Sequence, residues 1–197
     1  MILIQVLDHG RRPPEIEAFQ AHVMPLRATS RGTVAIRSAD ARAAPRIDPN
    51  YLATEQDRWE MRQCVRLTRE IFAQPAFAEY SGGEETPGPE AQTDAQLDAF
   101  IRAKCDTDYH PCCTCKMGSR EDPLAVVDSE GRVHGLQGLR VVDASIMPSI
   151  VSGNLNAPTI MMAEKLADVI RGRQPLEPDT EASVFSPDTS RQRCKSH

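Results

Sequence analysis

The apolar run Leu139 to Val142 opens after Gly138 and closes on Asp143-Ala144-Ser145, and a long, nearly continuous apolar pattern follows from Ala157 to Ile170. A compact run of this kind reads as a buried strand emptying into a loop. The longer pattern reads as a helix packed on a sheet, expected from about Ala157 to Arg173, with Asn156 as N-cap and Pro158 in the first turn, where its missing N–H does no harm. Lys165, Arg171 and Arg173 suit the C-terminal half of such a helix. Its N-terminus would offer unpaired N–H groups and a partial positive charge to an anionic or carbonyl-bearing group. In open α/β sheets ligands bind beyond the carboxyl ends of strands, so Asp143 and the amides after it would face a cofactor or substrate. The plainer alternative is that Asp143 and Ser145 only terminate the strand.

Upstream, Tyr109 to Gly118 reads Y-H-P-C-C-T-C-K-M-G. His110 ends a polar run, Lys104 to Tyr109, and enters a tight Pro/Cys/Gly loop, the kind of position from which a rigid scaffold presents functional side chains. With a reference pKa of about 6.5, a histidine accepts a proton near neutral pH. That suits an alcohol oxidation, in which a hydroxyl proton leaves as hydride departs from the neighbouring carbon. The competing reading is a metal module, because His110, Cys112, Cys113 and Cys115 form H-x-C-C-x-C. Structural zinc sites, however, use C-x-x-C pairs separated by a long loop, and adjacent cysteines do not easily point at one tetrahedral centre.

Three ordered motifs carry a family resemblance: Y-H-P-x-x-T-x-x-M-G; then G-R-V-H-G-L-x-G-L-R-V-V-D-A-S-I-M-P; then G-N-L-N-A-P-T-I-M-x-x-E-K-x-A-D-x-I-R-G. Together with S-R-G-T-V (Ser30 to Val34), N-Y-L (Asn50 to Leu52) and Gln74-Pro75-Ala76, the chain from about Phe19 to Gly172 resembles the C-terminal part of the glucose-methanol-choline oxidoreductases, and most of all their choline-oxidising branch. The resemblance implies an α/β fold: an α+β portion of a substrate domain with an antiparallel sheet, plus the last strand and helix of an FAD-binding domain. The implied divisions are 1–108, 109–173 and a disordered tail, 174–197.

Carried over residue by residue, the resemblance makes His110 the active-site histidine. Asn154 falls where the family places a second His or Asn that hydrogen-bonds the substrate oxygen. Asp143 and Ala144 match the segment along the phosphate and ribityl part of FAD, and Asn156, Ala157, Pro158 and Thr159 match the helix start near the flavin ring. The implied reaction takes hydride from a choline-like primary alcohol. One departure is Cys113, which stands where the family usually has glycine; if positive φ is needed there, a side chain adds strain. Another is that these residues contain no strand-G-x-G-x-x-G-helix pattern for a dinucleotide. A separate N-terminal FAD-binding polypeptide is therefore an expected partner, and a non-catalytic or metal-binding fragment is the alternative.

Composition sets outer limits. The 197 residues are 40% apolar, enough for a real core, yet only 5% aromatic with 15 prolines, which describes a loop-rich chain. A net charge of −5 argues against nucleic acid, which needs clustered cations. A trimethylammonium substrate wants aromatic faces, and the few aromatic residues do not cluster. There is no run of apolar residues long enough for a membrane span, and Met1 to Leu7 is too short for a signal peptide. Reduced thiols in a cytoplasmic compartment, with peripheral membrane association left open, are the expectation.

Elsewhere, Ile2, Ile4 and Val6, then Phe19, Ala21 and Val23, alternate in strand fashion around a turn at His9 to Pro14. Thr33 to Arg37 is a further strand, the three together forming an antiparallel sheet. Thr54 caps a helix from about Thr54 to Ala73, with Trp59 expected in the core. Ser81 to Gln92 is a loop, Thr93 caps a short helix through Ile101, and Val126-Val127 marks a short strand.

Overall fold

The computed structural model describes residues 18–174 and 176–177. The expected strand at Ile2 to Val6, the turn at His9 to Pro14, Cys194 and the tail beyond Glu177 lie outside the described residues. Within them the fold is mixed: two short strands, β1 (Thr33–Ala35) and β2 (Arg46–Asp48), and three helices, α1 (Glu55–Phe72), α2 (Asp94–Lys104) and α3 (Asn156–Ile170). The helices and the small antiparallel sheet agree with the expected α+β character. No helix among the described residues is long and apolar enough to cross a membrane.

The strand at Thr33 forms, but its partner is not the Phe19 to Val23 segment. β1 pairs antiparallel with β2, with Val34 opposite Ile47, and residues 18–25 form no strand. The alternation there loses to aromatic packing: Phe19 stands 5.0 Å from Phe72 and 5.8 Å from Phe77, centroid to centroid, so three aromatic residues do cluster, contrary to expectation, and such ring contacts outweigh a weak period-two pattern. β1 begins directly after Gly32, where a Cβ would fall 2.2 Å from the Asp48 carbonyl oxygen, so only glycine lets the two chains meet.

α1 starts as its cap predicts: the Thr54 hydroxyl accepts from the Asp57 N–H at 3.2 Å. α2 opens on a full capping box between Thr93 and Gln96. The two helices share a core of Val65, Ala91, Leu97 and Ile101. Arg62, buried in α1, reaches Asp98 on α2 at 2.9 Å and Glu55 at 2.8 Å. Trp59 is not in this core. It is half exposed, on a groove it shares with Met24, Pro25, Leu26 and Leu67, because the core-facing stripe of α1 is filled by Met61 and Val65, which at about 100° per residue lie on the opposite side of the helix from it.

The second core, Val127, Ile146 and Leu166, gathers Met117, Val126, Val133, Val141, Val142 and Met162 around it. Here the run Leu139 to Val142 makes a single bridge, Arg140 to Arg132, rather than a strand. Among the described residues it has a hydrogen-bonding neighbour on one side only: Val133 N–H donates to Leu139 at 3.1 Å and Val141 N–H to Gly131 at 2.9 Å. Val127 likewise bridges Met117 and Val133 without extending into a strand. α3 packs on this loop cluster through Leu166 and Met162, not on a sheet, and Ile160, Met161 and Ile170 remain exposed. Its N-cap is Leu155 rather than Asn156. Leu155 is buried and has helical dihedrals, which draws the helix start back one residue.

Candidate functional site

The site is built from three chain segments that the second core brings together. α2 stops at Lys104, and the polar residues after it turn the chain by side-chain contacts: Tyr109 N–H donates to the Thr107 hydroxyl at 3.0 Å and His110 N–H to the Asp108 carboxylate at 3.3 Å. Tyr109 takes φ +63° within this turn. Thr107 and Asp108 were not singled out in the sequence, although Ser, Thr or Asp two residues before a bend is a recognisable turn signal.

The segment after His110 is then laced to the one after Asp143. Cys113, Cys115 and Met117 donate their N–H groups to the carbonyls of Ala144 at 3.3 Å, Ser145 at 2.9 Å and Ile146 at 2.8 Å. Asp143 fixes that second segment by capping a short 3-10 turn, Ala144–Ile146, its carboxylate accepting from Ser145 N–H at 2.8 Å. Ile146 is fully buried and anchors both. The carboxylate of Asp143 therefore does the terminating work of the plainer reading while its side chain stays exposed.

Asn154 arrives from the third segment. Buried Leu155 pins the chain next to it, and the result is a direct contact: His110 Nε2 lies 3.0 Å from Asn154 Oδ1 across 44 residues of sequence. His110 is half-buried and Asn154 exposed, so the pair faces outward. With Oδ1 toward the ring, Nε2 carries the hydrogen. With the amide turned over, Asn154 donates to an unprotonated Nε2. Either way the two side chains share one proton site that a hydroxyl can enter.

α3 begins immediately beyond. No side chain caps its first turn, and Asn156 and Ala157 are exposed while Pro158 and Thr159 are half-buried. The Thr159 hydroxyl donates back to the Leu155 carbonyl at 2.6 Å. Uncapped N–H groups at a helix start suit a phosphate or a ring carbonyl. These residues, the His110–Asn154 pair and the exposed Asp143 therefore fit a group that is polar at one end and presents a reactive ring at the other.

Cys113 has φ +70°, the left-handed conformation that glycine adopts without cost and other residues do not. Its thiol donates to the sulfur of Cys112 at 3.3 Å. Burial, the adjacent Cys113 thiol and the Asp108 carboxylate push the Cys112 thiol up to about 12. Among the described residues no three His, Cys, Asp or Glu side chains are grouped so as to hold a metal ion.

Comparison with known proteins covers most of this region. The family model for GMC oxidoreductase matches residues 28–163. The chain is 58% identical over 185 residues to the mitochondrial choline dehydrogenase of Mus musculus, covering 94% of this chain and 31% of that protein. It is 60% identical over 172 residues to the oxygen-dependent choline dehydrogenase of Stenotrophomonas maltophilia (strain K279a), covering 87% of this chain and 31% of that protein. Among solved structures, an FAD-dependent oxidoreductase from Chaetomium thermophilum superposes with a TM-score of 0.69 at 38% identity, over 75% of this chain and 25% of that one. The chain thus spans about a third of the length of the curated relatives it matches.

Proposed function

The chain belongs to the GMC oxidoreductase family, and from that premise we propose that it forms the C-terminal part of an FAD-dependent alcohol dehydrogenase acting on a choline-like primary alcohol. The observation that carries this is the 3.0 Å contact between His110 and Asn154, set beside the uncapped start of α3. FAD, when bound, supplies the acceptor for the substrate's hydride.

The chain's own residues handle the proton and the orientation. In the arrangement whose Nε2 is unprotonated and accepts from the Asn154 amide, His110 takes the hydroxyl proton at Nε2. Asn154 holds the substrate oxygen against that nitrogen and keeps the imidazole turned toward it. Asp143 and Ala144 would hold the phosphate and ribityl part of FAD. Asn156, Ala157, Pro158 and Thr159 present the first turn of α3 to the ring, where N–H groups without a side-chain cap stabilise negative charge.

In this reading residues 1–108 are part of the substrate domain, 109–173 are the flavin-site segment with the last strand-like run and helix of the FAD-binding domain, and 174–197 are a tail. The dinucleotide-binding half is not among these 197 residues. The names of the curated relatives support choline as the model substrate. A reducing, cytoplasmic setting belongs to the same reading.

The test is to purify the chain, record flavin absorbance alone and after adding an N-terminal half from a family member, and assay choline oxidation. Flavin retained on complementation, with choline-dependent reduction, is the expected result. No bound flavin in either preparation overturns the proposal.

A further inference from the structure

Cys112 and Cys113 are neighbours in sequence, both half-buried and both free. Their sulfurs lie 3.3 Å apart, on the loop that follows His110. Adjacent side chains on an extended chain point to opposite sides; here the φ of +70° at Cys113 brings the second thiol round to the first. The backbone holding them is fixed, because Cys113 and Cys115 are hydrogen-bonded to Ala144 and Ser145. A dithiol is therefore already assembled before any ligand arrives, and preorganisation of this kind removes much of the ordering cost of chelation.

Three chemistries compete for such a pair. A disulfide needs Cα atoms about 4.4–6.8 Å apart, whereas neighbours across a trans peptide are held at about 3.8 Å, so closure would distort the loop. A tetrahedral zinc with Zn–S bonds of about 2.3 Å separates two sulfurs by about 3.8 Å, wider than this pair, and would need two further ligands. Among the described residues no third His, Cys, Asp or Glu side chain joins the two thiols into a metal-holding group. At bonds of comparable length, sulfurs 3.3 Å apart subtend little more than a right angle at a bridging atom. That is the shape of trivalent arsenic, whose lone pair presses its three bonds together. An arsenic carrying one aryl group needs two thiols and no more.

We propose that Cys112 and Cys113 form a vicinal-dithiol site for trivalent monoaryl arsenicals. In the reaction with phenylarsine oxide two As–S bonds form, the arsenic–oxygen bond breaks, and both thiol protons leave with the oxygen as one water. Arsenic remains trivalent, so neither oxidant nor reductant is involved. The chemistry consumes neutral thiols. This matters because the Cys112 thiol, pushed up to about 12 by burial and by its neighbours, supplies little thiolate at neutral pH for alkylation or disulfide exchange. The site stands independently of the flavin chemistry.

The experiment uses the reduced chain as purified, one equivalent of phenylarsine oxide, and intact-mass detection. Samples are then challenged with excess mercaptoethanol or with dimercaptopropanol. One adduct per chain should survive the monothiol and be stripped by the dithiol. Cys112→Ser and Cys113→Ser should each lower the surviving adduct by about a hundredfold, the gain expected when a second bond forms intramolecularly. Cys115→Ser should leave it unchanged. Fragment-ion mapping of the wild-type adduct gives a readout that needs no variant to fold, and should place arsenic across Cys112 and Cys113. An adduct lost to mercaptoethanol as fast from the wild type as from Cys112→Ser overturns the proposal. So does arsenic mapped to Cys64, Cys105, Cys115 or Cys194.

Discussion

His110 on the loop after α2 meets Asn154 at the threshold of α3, Nε2 to Oδ1, at 3.0 Å. Neither residue sits in regular secondary structure. Each is positioned by a neighbour that does packing or turn work: Asp108 fixes the backbone N–H of His110, and buried Leu155 pins the chain next to Asn154. In the complemented flavoenzyme, His110→Ala should lower kcat by about a thousandfold, the scale of a lost general base, with flavin content unchanged. Asn154→Ala, which removes one hydrogen-bond partner, should cost about tenfold. Steady-state kinetics with flavin absorbance on each variant separates these outcomes from loss of cofactor.

Asp57 should make the amino-terminal part of the fold acid-sensitive. Burial raises the energy of its charged form, but the Ser30 and Thr29 hydroxyls and backbone N–H groups more than reverse this and hold the carboxyl well below the usual carboxylate range. Its folded pKa therefore lies below the unfolded value of about 3.9, so the stabilisation is complete above that pH and is lost as pH falls toward the folded pKa. Asp57→Ala should destabilise by about 3 kcal/mol at pH 7, and the gap between variant and wild type should narrow below about pH 4. Urea unfolding across that range checks both statements; a gap constant with pH would remove Asp57 from this role.

Arg62 is the buried cation that joins α1 to α2, held by Glu55 and Asp98 with Asp94 at 3.5 Å. Removing it leaves carboxylates facing a vacated site, the costly way to break such a network. Arg62→Ala should lower stability by about 3 kcal/mol, read as a shift in the urea midpoint with little change in slope.

At Cys113 the backbone conformation and the side chain disagree. Cys113→Gly should be neutral or stabilising by about 0.5 kcal/mol, the left-handed penalty removed slightly exceeding glycine's entropic cost. Cys113→Val, branched at Cβ, should destabilise by about 2 kcal/mol. Thermal unfolding of the two variants beside the wild type orders them; a valine variant as stable as the glycine one would show that φ is not held positive.

Much of this chain was legible before any coordinates. Thr54 and Thr93 announce α1 and α2 because an N-cap is a local interaction within one turn of helix, and both caps are observed. The loop around His110 was legible for the same reason, being bounded by a helix end and by proline. The segments that failed are those whose fate depends on distant partners. Phe19 left its alternating pattern for Phe72 and Phe77. Leu139 to Val142 is apolar enough for a strand but has, among the described residues, a neighbour on one side only, and β2 is too short and too polar to stand out.

The sequence by itself determined the family, the helix starts and the residue types of the candidate site, because motifs, caps and periodicity act over a few residues. Only the tertiary structure decided that His110 and Asn154 touch, that Leu155 rather than Asn156 is the N-cap of α3, that Trp59 faces outward, and that Cys113 turns its thiol onto Cys112. Each of these is set by which side chains the two small cores exclude from water, a choice made jointly by segments far apart in the chain.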